Sequence, residues 1–74
     1  MKYRNICLCK ICGDIIESKS VHDYTTCSCG ACSTDGGLDY ISRSYDPKYG
    51  SIDDVIENLI CNVGSSLVID GKVY

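Results

Sequence analysis

Apolar and polar positions divide the chain into a first half of short alternating segments and a second half with one strong helical period. Asp14-Ile-Ile-Glu-Ser-Lys19 and His22-Asp-Tyr-Thr-Thr26 read as strands around a turn near Ser20. Asp35-Gly36-Gly37 is a turn signal, because Asp and Gly accept the positive φ that tight hairpins demand, and Leu38–Tyr45 reads as a third strand. Asp46-Pro-Lys-Tyr-Gly50 is a linker, and Ser51 with Asp54 three positions later resembles a capping box. Ile52, Val55, Ile56, Leu59, Ile60 and Val63 then recur at helical spacing, which predicts an amphipathic helix over 51–63 with Gly64 placed to end it. Leu67-Val-Ile-Asp70-Gly71-Lys-Val-Tyr74 predicts a short hairpin on an Asp-Gly turn. The expected fold is a small α+β domain over 1–74. A three-stranded antiparallel half spans 4–45, and a helix-plus-hairpin half with its own small core spans 51–74. The helical stripe completes the monomer core or forms a symmetric homodimer contact through the 51–63 helix, and the first is favoured because so short a helix needs tertiary support.

Length and cysteine content change this picture. A core drawn from 74 residues needs a staple. Of seven cysteines, six fall in two triplets of identical spacing, Cys7-x-Cys9-x-x-Cys12 and Cys27-x-Cys29-x-x-Cys32, set twenty positions apart. Such spacing points to a metal site, and no apolar stretch of signal-peptide type precedes it, so a reducing cytoplasmic setting and a structural Zn2+ are expected rather than disulfides. Cys9, Cys12, Cys27 and Cys29 are the predicted ligands, since each of those pairs is followed by glycine, where a turn doubles back. The first half is therefore expected to be a zinc ribbon with two cysteine knuckles. Cys61, beside the apolar stripe, reads as a small buried hydrophobe.

Charge narrows the partners. Lys2, Arg4 and Lys10 stand at the N-terminus without an acid, leaving four bases against ten acids in residues 11–74. An acidic body repels phosphate, so nucleic-acid binding is a weak alternative. No apolar run approaches the length of a membrane helix.

Catalytic chemistry is not expected. His22-Asp23 has no activated nucleophile beside it, and a zinc closed by four thiolates leaves no position for water. Gly36-Gly37 is followed by no P-loop Lys-Ser/Thr and reads as a turn. The chain has six tyrosines and neither Phe nor Trp, so some are expected in the core. Tyr40, Arg43, Tyr45 and Tyr49 form the densest aromatic and cationic cluster, a candidate protein-binding patch. An alternative reading has an oligomeric module sequestering a small nucleotide with Tyr40, Arg43, Tyr45 and the amides near Gly36 and Gly37.

Cys9-x-x-Cys12-Gly13-Asp14-Ile15-Ile16-Glu17-Ser18, His22-Asp23, Cys27-Ser28-Cys29-Gly30 and Asp35-Gly36-Gly37-Leu38-Asp39-Tyr40 with Arg43 together resemble a family of small zinc-ribbon proteins of bacteriophages and Gram-positive prophages. The resemblance covers about residues 4–43. It implies that Cys9, Cys12, Cys27 and Cys29 hold the metal, that Asp35, Gly36, Gly37, Asp39, Tyr40 and Arg43 belong to the family hallmark, and that Cys7 and Cys32 stand outside it. The leading expectation is a zinc-stabilised phage accessory protein of the host cytoplasm that binds and modulates a host protein, as a host-defence inhibitor.

Overall fold

β1, Tyr3–Cys9, is the strand on which the molecule is assembled. The computed structural model describes residues 3–74, so Lys2 lies outside the described residues. Asn5, Ile6, Cys7 and Cys9 are all buried, which means both faces of β1 are covered. Both of its edges are also paired, with β2 (Ile15–Ser18) on one side and β6 (Ile56–Asn58) and β7 (Cys61–Asn62) on the other, all antiparallel. A second sheet has the order β3 (Thr25–Thr26), β4 (Cys32–Asp35), β5 (Ser42–Tyr45), and β4 packs against β1 and β2.

The expected pairing of Asp14–Lys19 with His22–Thr26 does not form. Each segment pairs instead with a cysteine-bearing strand that alternation does not reveal, β2 with β1 and β3 with β4. β1 buries Asn5, Cys7 and Cys9 on one face and Ile6 on the other, and β4 buries Cys32, Ser33 and Thr34 in succession, so no apolar/polar alternation marks either strand. The first half thus has five strands in two sheets rather than three in one. Leu38 and Asp39 sit in a turn rather than a strand, with the Asp39 and Tyr40 amides donating to Gly36 O at 3.1 and 3.3 Å.

The predicted helix over 51–63 is corrected more sharply. α1 is a single turn, Ile52–Val55, preceded by a 3-10 turn at Pro47–Tyr49. Its capping box does form, the Ser51 amide donating to Asp54 Oδ2 at 2.9 Å. The chain then extends. β6 and β7 pair with β1 in one continuous register, and between them the Leu59 amide donates to Ile6 O at 3.0 Å. A helix satisfies its own backbone and would have left this edge of a buried strand unpaired, whereas an extended segment rich in β-branched residues closes it.

Consequently the C-terminal half has no core of its own. Val55 and Ile56 join the single cluster formed by Cys7, Cys9, Ile16, Cys27, Ala31 and Cys32, while Ile52, Ile60 and Val63 remain exposed. The helical dimer seam has no counterpart. Nor is any of the six tyrosines buried: five are exposed and Tyr74 is half-buried, because sulfur fills the interior that aromatic rings were expected to occupy.

The last hairpin does form, as β8 (Val68–Ile69) and β9 (Lys72–Val73), with Asp70 and Gly71 at φ 50° and 80°. Leu67 and Tyr74 close it with amide-to-carbonyl bonds of 3.1 and 2.7 Å. Arg4 docks it to the sheet. Its Nη1 donates to Ser65 O and Tyr74 O, both at 2.8 Å, while Nε and Nη2 hold the two oxygens of Glu17 at 2.9 and 2.8 Å. No helix of the described residues is long and apolar enough to cross a membrane.

Candidate metal centre

Two hairpin ends of the same design carry the four predicted ligands. In the first, β1 stops at Cys9, whose amide donates to Asp14 O and whose carbonyl accepts from the Gly13 amide, both at 2.8 Å. In the second, the Cys27 amide donates to Cys32 O at 3.1 Å and Cys27 O accepts from Gly30 at 3.0 Å. Gly13 and Gly30 adopt φ of 82° and 76°, the left-handed conformation the reversal needs. Each turn thereby presents one buried strand-end thiol, Cys9 or Cys27, and one exposed turn thiol, Cys12 or Cys29. A bond from the Ser28 amide to Asp14 Oδ2, 2.7 Å, ties one turn to the other, and this bonding holds the Asp14 carboxyl below its usual range.

The four Sγ atoms lie within 4.8 Å of one another. Cys27 to Cys29 is 3.5 Å and Cys9 to Cys29 is 3.8 Å. With a zinc–sulfur bond of about 2.3 Å, the edge of a tetrahedron is about 3.8 Å, so these residues fit a closed four-thiolate site. Their protonation is interdependent. Burial disfavours the Cys27 thiolate, but the Cys32 amide at 3.4 Å and the neighbouring thiols of Cys29 and Cys9 outweigh it, bringing Cys27 down to about 6. At Cys29 the Ala31 amide favours the thiolate, yet desolvation and the thiols around it push it up to about 12. Sulfurs this close share protons, and a divalent cation among them would take the place of those protons.

The remaining cysteines have other places. Cys7 and Cys32 are fully buried beneath the cluster, and burial pushes both thiols up. Cys61 is half-buried opposite Arg4. Beyond Cys7 and Cys32 lies a polar group that sequence reasoning did not find. Asn5, with no exposure, donates from Nδ2 to Asp35 O at 2.7 Å and Tyr40 O at 3.3 Å, and accepts at Oδ1 from Thr34 Oγ1 at 2.9 Å. Arg43 joins them, donating from Nη1 to Asn5 Oδ1 and Thr34 Oγ1 and from Nε to Asn58 Oδ1 at 3.0 Å. Its place directly before the apolar run Ile6-Cys7-Leu8-Cys9 is the sequence signal that could have found it.

The hallmark loop is built on this interior. Gly37 donates its amide to Ser18 Oγ at 2.9 Å, and a Cβ at Gly37 would stand 2.2 Å from the Ser20 carbonyl carbon. A Cβ at Gly36 would meet the Tyr40 ring at 2.6 Å, so that ring lies directly on the turn while remaining 53% exposed. Both glycines thus serve close packing. Of the candidate binding residues, Tyr40, Tyr45 and Tyr49 are exposed, Arg43 turns inward, and Gly36 and Gly37 are buried. Tyr40 lines a cavity of about 270 Å³ with Tyr3, Gly37, Leu38, Asp39 and Ile41. His22 is exposed, and it is Asp23 that fixes the turn, accepting from the Lys19 amide at 2.9 Å and Thr25 Oγ1 at 3.2 Å.

Fold and site define a small β-rich protein of antiparallel sheets held around a cysteine cluster that can take a metal ion. The chain belongs to the family described as a domain of unknown function (DUF7695), whose model matches residues 3–45, that is, β1 through β5. No curated protein and no solved structure matches it.

Proposed function

We propose that Cys9, Cys12, Cys27 and Cys29 hold one structural Zn2+ and that the protein is a non-catalytic accessory module whose exposed aromatic face binds a host protein. Its resemblance to phage and prophage zinc ribbons makes that host bacterial and its compartment the host cytoplasm, with inhibition of host defence as the role. The observation that carries the binding reading is the display of Tyr40: the ring is half in solvent yet laid on Gly36, so it meets a partner with little conformational freedom left to lose. Exposed Tyr3, Leu38 and Ile41 adjoin it. The small-nucleotide alternative is less well supported, since the Gly37 amide is engaged by Ser18 and Arg43 by Asn5 and Thr34. Nucleic acid is disfavoured by the net charge of −3.

The test places a photo-crosslinking amino acid at Tyr40 in a Gram-positive host. One dominant crosslinked host protein, whose complex with purified chain is lost in Tyr40→Ala, is expected. Crosslinks spread over many proteins, or an interaction indifferent to Tyr40→Ala, would refute the reading.

A further inference from the structure

We infer that the Arg43 guanidinium is the interior counter-charge of the four-thiolate centre, a positioning residue that raises the affinity for metal without touching the ion. The inference rests on the zinc reading above. Alternation along β1 places Asn5, Cys7 and Cys9 on one face, and along β4 it places Cys32 and Thr34 on one face. All five are buried. From the centre inward the order is therefore ligand sulfurs, then the thiols of Cys7 and Cys32, then the Asn5 and Thr34 pair that receives Arg43 Nη1.

Arg43 has no carboxylate on it. Its acceptors are Asn5 Oδ1, Thr34 Oγ1, Asn58 Oδ1, Ser42 O and Ile6 O, all neutral. Asp35 adjoins Thr34 on β4, but its buried Oδ1 accepts no hydrogen bond. The salt bridges of the described residues are elsewhere, Arg4 with Glu17 and Lys48 with Asp46. A half-buried cation without an anion is costly, and neutral acceptors relieve only part of that cost. Four thiolates around a divalent ion carry a net −2, and they lie at the far end of the same interior column. Two dry, fully buried thiols, Cys7 and Cys32, separate them from Arg43, with no water layer between to screen the interaction. Cys9 is four strand steps from Asn5, about 13 Å at about 3.3 Å each. Across such a distance, with an effective dielectric of about 40, a −2 centre and a single cation are coupled by on the order of tenfold in metal affinity.

Competition of the full chain against a chelator of known zinc affinity tests this. Arg43→Gln and Arg43→Lys are compared in the native chain and in Cys29→His, where a neutral imidazole reduces the centre from −2 to −1. Arg43→Gln is expected to weaken zinc about tenfold in the native chain but only about threefold in Cys29→His, the coupling scaling with the charge of the centre. Arg43→Lys is expected to stay within about threefold of native, since the cation is kept. Any loss of fold is common to both backgrounds and cancels in the comparison, and Arg43→Met supplies a second neutral variant. Equal losses for Arg43→Lys and Arg43→Gln, or a penalty unchanged by Cys29→His, would overturn the inference while leaving the zinc reading in place. A native chain that binds no zinc overturns both.

Discussion

At the residue scale, the chemistry separates seven cysteines that composition alone makes equivalent. Cys9, Cys12, Cys27 and Cys29 converge, Cys7 and Cys32 fill the interior behind them, and Cys61 lies across from Arg4. Single Cys→Ser replacement at Cys7, Cys32 or Cys61 is expected to leave one zinc per chain by elemental analysis. Cys7→Ser and Cys32→Ser nonetheless cost about 1–3 kcal/mol for the buried hydroxyl, whereas Ser at any of the four ligand positions, which supplies no thiolate, is expected to remove the metal. Glu17 adds a pH dependence. The Arg4 guanidinium bonded to it holds its carboxyl below the usual range, so its folded pKa is lower than its unfolded one. Its contribution is then complete above the unfolded value of about 4.5 and fades as pH falls through the lower folded value. In acid titrations of stability Glu17→Gln is expected to be about 1 kcal/mol less stable than native near neutrality, with the gap closing below about pH 4.

At the element scale, the segment after Val55 distinguishes what periodicity can and cannot decide. The helical reading buries Ile56 and Ile60 together on one stripe, but in the observed strand Ile56 is buried and Ile60 is exposed. Ile56→Asp is therefore expected to cost about 3 kcal/mol or more by placing a carboxylate in the core, while Ile60→Asp stays within about 1 kcal/mol. Denaturant melts of the two variants check this, and equal damage would restore the helix. The knuckles, by contrast, were legible from sequence, because a turn with two ligands and a left-handed glycine is a local matter of four or five residues. The strands that carry them were not, since Asn5, Cys7 and Cys9 acquire their environment from β4, whose residues are far along the chain.

At the scale of the whole molecule, one small interior joins the metal site to both sheets. Cys9 belongs to the sheet of β1 and Cys27 abuts the sheet of β4, so an ion held by both would fasten the two sheets to each other. Zinc in comparable units supplies on the order of 10 kcal/mol of folding free energy, and little apolar area is available here to replace it. A strong chelator is expected to abolish near-ultraviolet tyrosine dichroism and protection of β1 amides in one transition, both returning with added zinc. A metal-free chain that stays cooperatively folded would show that thiol packing alone suffices.

The turns are legible from local residues alone: two glycine-closed cysteine knuckles, the Asp-Gly hairpin at 70–71 and the Ser51 capping box all depend on contacts within a few residues. Which strands pair, that the segment from Ile56 to Asn62 runs extended along the edge of β1, and that Arg43 faces inward follow only from the assembled fold. The reason is that hydrogen-bond satisfaction of a buried strand and the environment of a half-buried cation are set by partners distant in sequence, which neither periodicity nor spacing encodes.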